Sequence, residues 1–239
     1  MHRVHLPAAS PPVATLGADE AHHVLHVLRL GVGDIVAAFN GCGHEWTAQI
    51  VTATRSDVTV VLGEARTPVA EPAVAITLAV GLLKGEQMDQ VVRDATMLGV
   101  TRIVPLVSAH VALPKAARQT RGTERWQRVA VASAKQCQRA VVPEILAPQS
   151  FAALVDGWAT GPLLMCVEPA IGGEHDVPAA PVEQAALLLV GPEGGWSAEE
   201  VAQVRGRGGV PISLGPRTLR AESAPTVALS VLWARWGWI

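Results

Sequence analysis

The sequence predicts two folded parts: a small β-rich unit over residues 1–70 and an α/β unit with a mostly parallel sheet over residues 73–239. Three observations carry this expectation. Before residue 67 the apolar residues fall in short, β-branched runs separated by turn residues. After residue 72, apolar runs of strand length alternate with stretches of helical periodicity. Between them, Thr67-Pro68-Val69-Ala70-Glu71-Pro72 puts two prolines in six residues, a composition that regular structure does not accommodate.

In the first unit, 35–39 reads as a strand and ends at Asn40-Gly41, a common hairpin-turn pair. Residues 46–51 and 58–62 read as two further strands. A helix precedes them, with Asp19 placed as its cap and Val24, Leu25 and Leu28 as its apolar face. In the second unit the expected strands are 74–82, 103–107, 163–167, 187–190 and 212–214. The expected helices are 86–98, 122–139, one starting at Ser197, and one running to about Trp236. Met88, Val91, Val92, Ala95 and Leu98 mark the first of these by their spacing. The strands are apolar throughout rather than alternating, which implies a sheet covered on both faces.

Composition limits what such a chain does. With 239 residues and 49% hydrophobic content it can bury a proper core. It has no apolar stretch of the roughly 18 residues that a membrane span needs, and MHRVHLPAAS lacks a signal-peptide core. The expectation is a soluble, cytoplasmic protein. Cys42, Cys137 and Cys166 are isolated and odd in number, which argues against disulfides or a zinc knuckle. His22 and His26 have i,i+4 spacing, but nothing nearby completes a ligand set, so no metal is expected. The net charge of -2 does not announce a polyanion partner, yet its distribution does. From Lys115 to Arg139 there are seven basic residues (Lys115, Arg118, Arg121, Arg125, Arg128, Lys135, Arg139) and one acid, Glu124. At about 100° per residue, Arg121, Arg125, Arg128, Lys135 and Arg139 fall in roughly one 80° sector, beside a packing face of Trp126, Val129, Ala130, Ser133 and Cys137. An unrelieved positive stripe repels itself and favours a polyanion such as RNA.

Two segments could carry chemistry. The first, Leu187-Leu188-Leu189-Val190-Gly191-Pro192-Glu193-Gly194-Gly195-Trp196-Ser197-Ala198-Glu199-Glu200, is a buried strand, a glycine-rich loop and a helix start. Ser197 and Glu200 have capping-box spacing. Its glycines let a ligand approach the backbone, and such loops in parallel sheets lie at the carboxyl ends where ligands bind. The pattern is neither GxGxxG nor GxxxxGK[ST]. The second, Leu214-Gly215-Pro216-Arg217-Thr218-Leu219-Arg220-Ala221-Glu222-Ser223-Ala224-Pro225, also leaves a strand and enters a helix, and packing does not require its charged residues. Trp233, Trp236 and Trp238 are read as packing residues rather than base-stacking ones.

These two segments, in this order, resemble the 16S rRNA (uracil-N3) methyltransferase family of the SPOUT, or α/β-knot, class. Lys84-Gly85-Glu86-Gln87-Met88-Asp89, the stretch 132–139 with Val142-Pro143-Glu144-Ile145, and His22 to Gly31 extend the resemblance over essentially the whole chain. One departure is Ala221-Glu222-Ser223, where many relatives read threonine, glutamate, threonine. The resemblance implies a PUA-like β-barrel domain at 1–70, a trefoil-knot methyltransferase domain at 73–239, an obligate homodimer and S-adenosylmethionine as cofactor. It places the cofactor on Val190, Gly191, Glu193, Gly194 and Gly195, and on Leu214, Gly215, Leu219 and Arg220, with Val167-Glu168-Pro169 as a third wall. Arg220 and Glu222 are then the candidate catalytic pair. Arg3, Arg29, Arg121, Arg125, Arg128, Lys135 and Arg139 are the candidate contacts to ribosomal RNA of the small subunit. A knotted methyltransferase acting on ribose 2'-OH or on tRNA, and a non-catalytic RNA-binding module of the same fold, remain alternatives at this point.

Overall fold

The structure is a computed structural model that describes residues 1–7, 12–111, 122–174 and 177–239. It resolves into two compact units, Met1–Ala70 with Val131–Val142, and Glu71–Ala130 with Pro143–Ile239. Residues 67–72 form neither helix nor strand.

The first unit is a five-stranded sheet of β1 (Arg3–His5), β2 (Val13–Thr15), β3 (Ile35–Phe39), β4 (Glu45–Ala53) and β5 (Val58–Arg66), in the order β1-β3-β4-β5-β2. Among the described residues β1 and β3 run parallel and the other pairs are antiparallel. Val36, Ala38, Ala48, Ile50, Val60 and Leu62 form its core, closed by Val4, Leu16 and Val24. The β3–β4 turn is fixed by Asn40, whose Oδ1 accepts from the backbone N–H groups of Cys42 at 2.8 Å and His44 at 3.1 Å. The expected helix is present as α1 (Ala18–His22), but it runs on into a π-helical turn, His23–Val27. Gly17, not Asp19, is its N-cap; Asp19 lies in the first turn, where its charge complements the helix dipole. The strands β1 and β2 are three residues each and carry no readable period.

In the second unit every strand pair among the described residues is parallel. Its strands are β6 (Ala75–Gly81), β7 (Arg102–Val107), β8 (Glu144–Ile145), β9 (Gln149–Ser150), β10 (Leu163–Val167), β11 (Ala185–Val190) and β12 (Val210–Ser213), in the order β12-β10-β11-β6-β7-β8, with β9 also beside β7. The gap between β8, which covers Arg102 and Ile103, and β9, which covers Leu106 and Val107, falls beside Pro105, which has no N–H to donate. The helices are α2 (Gln87–Met97), α3 (Thr123–Gln136, whose last turns belong to the first unit), α4 (Phe151–Gly157), α5 (Ala198–Gly206) and α6 (Ala224–Arg235). Both faces of the sheet are covered, as the continuous apolar runs require. On β11, Leu187 and Leu189 join the cluster of Phe151, Val201 and Val204, while Ala186 and Leu188 are equally buried. α2 packs on α6, and Trp233 Nε1 donates to the Leu98 carbonyl at 2.5 Å. Trp236 Nε1 donates to the Pro178 carbonyl at 2.9 Å, so both tryptophans are packing residues.

From β6 the chain moves to β7 on one side; on the other side lie β11, β10 and β12. Such a reversal of winding opens a crevice at the carboxyl ends of the strands.

Candidate active site

A cavity of about 420 Å³ lies at the carboxyl ends of β10, β11 and β12, within the size range of small-molecule sites. Three loops form its walls: Cys166 to Pro169, Val190 to Trp196 and Leu214 to Glu222; Gln87, at the start of α2, adds a further side chain. The structure therefore gathers Val167, Glu168, Val190, Gly191, Glu193, Gly195, Leu214, Leu219, Arg220 and Glu222 around one space. Gly194 and Gly215 belong to the same loops but do not line it.

The glycine-rich loop has its shape for reasons visible in its contacts. Gly195 has φ of +67°, and a Cβ there would lie 2.7 Å from Glu168 Oε1. Its N–H donates to the Pro192 carbonyl at 2.9 Å, which closes the turn. Trp196 anchors the loop from below: its indole N–H donates to the Cys166 carbonyl at 2.8 Å, and the ring packs on Phe151 with centroids 5.4 Å apart. A side chain at Gly191 would crowd that ring, at 3.2 Å. The loop then enters α5 through a complete capping box, Ser197 Oγ accepting from Glu200 N–H and Glu200 Oε2 accepting from Ser197 N–H. Glu200 does more than cap, because its Oε1 accepts from Ala109 N–H at 2.8 Å and so ties the exit of β7 to the site. His110 Nδ1 lies 3.0 Å from the Gly194 carbonyl on the same side.

The charged groups stand at the second loop. Gln87 Nε2 donates to Glu222 Oε2 at 3.2 Å, and Arg220 Nη1 lies 3.8 Å from Glu222 Oε1. Glu222 is 12% exposed and Arg220 85%, so a nearly enclosed carboxylate meets a freely projecting guanidinium. Burial pushes the Cys166 thiol up to about 12, so it stays protonated at neutral pH and is no nucleophile. The sequence reading assigned no role to Gln87, Cys166, Pro192, Trp196 or Thr218, all of which line the cavity. The signal for Gln87 lay within Lys84 to Asp89; nothing local marked Cys166 as a wall.

The candidate RNA contacts divide differently. Arg29 and Arg128 are exposed. Arg125 is paired with Asp89 and lies 3.9 Å from Glu86. Lys135 is held by both oxygens of Glu20 at 2.9 Å. Arg139 is 4% exposed. Arg3 is buried against Glu45 at 2.8 Å, donates to the Arg139 carbonyl at 3.0 Å and covers the Phe39 ring. Arg121 lies outside the described residues, as do Lys115 and Arg118. The expected unrelieved stripe is therefore corrected: carboxylates far away in sequence neutralise part of it, and burial withdraws another part. The His22 and His26 rings lie 4.7 Å apart and tilted by 49°, and among the described residues no group of three or more potential ligands could hold a metal.

Comparison with known proteins identifies the family. Residues 70–233 match the family model of an RNA methyltransferase domain, and residues 16–63 that of an RNA methyltransferase PUA domain. The chain is 35% identical to ribosomal RNA small subunit methyltransferase E of Synechocystis sp., over 90% of this chain and 71% of that protein. It is 29% identical to the protein of that name from Bacillus subtilis, over 92% and 90%. Among solved structures, a methyltransferase from Legionella pneumophila with bound SAM superposes with a TM-score of 0.86 at 31% identity, covering 97% and 96% of the two chains. Ribosomal RNA small subunit methyltransferase E from Neisseria gonorrhoeae, bound to S-adenosyl methionine, superposes with a TM-score of 0.87 at 28% identity, covering 99% and 98%.

Proposed function

The chain belongs to the RNA methyltransferase family, with a PUA domain ahead of a SPOUT α/β domain, and from that premise we propose that it methylates N3 of a uridine in 16S ribosomal RNA, using S-adenosylmethionine. The observation that carries this reading is the cavity at three adjacent strand ends, with a glycine cradle on one wall and Glu222 and Arg220 on another.

The walls fit the cofactor. Gly191 and Gly195 present bare backbone to the cavity, with the Glu168 carboxylate packed against Gly195, and the apolar surfaces of Val167, Val190, Leu214 and Leu219 line the rest beside Glu193. When bound, S-adenosylmethionine supplies a methyl carbon already activated on a sulfonium, so the protein's task is positioning. In this reading Glu222 accepts the N3 proton of uracil. Arg220 stabilises the negative charge that then spreads onto a uracil oxygen. Pairing in a duplex hides N3, so the substrate uridine enters unpaired or flipped out. Arg29 and Arg128 are the exposed cations we assign to the RNA backbone; Arg125 is exposed but paired with Asp89 and reaches RNA only by exchanging that partner, and Arg3, Lys135 and Arg139 serve the contact through the shape of the first unit, whose packing they hold.

We place the enzyme in the cytoplasm, as a homodimer acting on the small ribosomal subunit. No described helix is long and apolar enough to cross a membrane. The test is nucleoside mass spectrometry of 16S RNA from a strain lacking the protein, with recovery by the purified protein and S-adenosylmethionine. Loss and recovery of N3-methyluridine supports the reading. A change at a ribose 2'-OH or in tRNA overturns the substrate, and failure to bind S-adenosylmethionine in calorimetry overturns the activity.

A further inference from the structure

We propose that Gln87 reads the base: with Glu222 and Arg220 it forms a donor–acceptor–donor row that selects the N3 edge of uracil over that of cytosine. The inference rests on the uridine-N3 reading above and adds the groups that make the choice. Gln87 Nε2 donates to Glu222 Oε2 at 3.2 Å, and the Arg220 guanidinium faces the other oxygen as a longer ion-pair contact, Nη1 to Oε1 at 3.8 Å, so an amide donor and a cationic donor flank a single carboxylate. All three residues line one cavity.

The side chains leave capacity over after contacting one another. A glutamine amide has two N–H groups and spends one on Glu222; an arginine has five; an ionised carboxylate offers about four lone-pair sites. The edge of uracil presents O2, N3–H and O4, which is acceptor, donor, acceptor. The row complements it in that order, with Glu222 on N3–H and a donor on each flanking oxygen. Cytosine presents an acceptor at N3 and an amino donor at C4. There the carboxylate would meet a lone pair, and one flanking N–H would meet another N–H. Glu222 is nearly enclosed and the base would cover Gln87 further, and groups enclosed in this way reject a near-isostere that leaves them unpaired. Gln87 is well held for this role. It opens α2, and its backbone N–H donates to the Lys84 carbonyl at 3.3 Å, so the side chain leaves a fixed point. Arg220, 85% exposed, is by comparison a loose reader.

The experiment uses small ribosomal subunits carrying either the mapped target uridine or a cytidine in its place. Affinity and single-turnover methylation are measured for the wild type, Gln87→Met and Gln87→Lys, with thermal melting as the check on folding. Gln87→Met keeps the length and removes the donor; it should narrow the uridine-to-cytidine affinity ratio by about tenfold. Gln87→Lys keeps a donor and should retain the preference. A second measurement varies the base and is read first in the wild type. Wild-type affinity should fall when the target carries 2-thiouridine or 4-thiouridine, since sulfur is the weaker acceptor, and Gln87→Met should lose that sensitivity for one of the two. A Gln87→Met enzyme with the wild-type ratio overturns the proposal. So do variants that slow both bases equally, because Gln87 would then only hold Glu222 in place. Failure of the underlying reading looks different: the wild-type protein would form no N3-methyluridine at all.

Discussion

At Gly195 two constraints coincide, a φ of +67° and a Cβ position 2.7 Å from Glu168 Oε1. A β-branched residue is strained by the first and, by the second, must push the Glu168 carboxylate aside at the cavity wall. Gly195→Val should therefore remove S-adenosylmethionine binding while the protein still melts cooperatively; wild-type affinity in calorimetry would remove the loop from the cofactor site. Arg220 poses the opposite problem, since it is exposed and packs on little. If it stabilises charge on uracil only as the proton leaves, its contact strengthens in the transition state. Arg220→Ala should then lower single-turnover methylation by about 10²–10³, or about 2.7–4 kcal/mol, at saturating RNA and cofactor. A near-wild-type rate with weakened RNA binding would make it a phosphate contact.

Among the elements, the entry to α5 is where local sequence and tertiary contact meet. Ser197 and Glu200 cap the helix reciprocally, a pattern written in four consecutive residues. Glu200 also accepts from Ala109 N–H, which no local pattern encodes. The two residues should therefore differ on truncation. Ser197→Ala should cost about 1 kcal/mol, as a lost cap does. Glu200→Ala strands an amide on each of two elements and should cost more, about 2–4 kcal/mol from the two groups. Denaturant melts of both variants check this, and equal losses would show that the Ala109 contact contributes nothing. The basic helix α3 carries the complementary lesson. Its charges were legible, but Glu20 and Asp89, which neutralise Lys135 and Arg125, lie more than 30 residues away in sequence.

For the molecule as a whole, pH should act mainly through the first unit. Burial lowers the pKa of His5 from its ordinary 6.5, against the attraction of Glu20 and helped by Lys135. The pKa of His23 is lowered in the same direction, by burial and then by Lys135. Below pH 6.5 the unfolded chain takes up protons that the folded unit resists. The stability these residues contribute is thus complete above that value and is lost as pH falls toward the folded-state pKa. The first unit should melt at a lower temperature at about pH 5.5 than at about pH 7.5, and His5→Gln should reduce the difference. An unchanged pH dependence in that variant would show that His5 is not the group responsible.

The sequence by itself determined the α/β order, because period-2 and period-3.6 patterns are local properties of the chain. It likewise determined the two loops of the site, since glycine, proline and capping residues act within a few positions of themselves. It left out β1, β2, β8 and β9, whose two or three residues hold too little pattern and exist only through pairing with β3, β5 and β7. Only the tertiary structure decided which residues meet. Gln87 and Glu222 are 135 positions apart, and the strand order that places the end of β12 near the start of α2 is not a property of any short segment. It also decided which charges remain free. Arg3 looked like an RNA contact in the chain and is spent in the fold on Glu45, because a buried cation needs a partner more than a surface needs a charge.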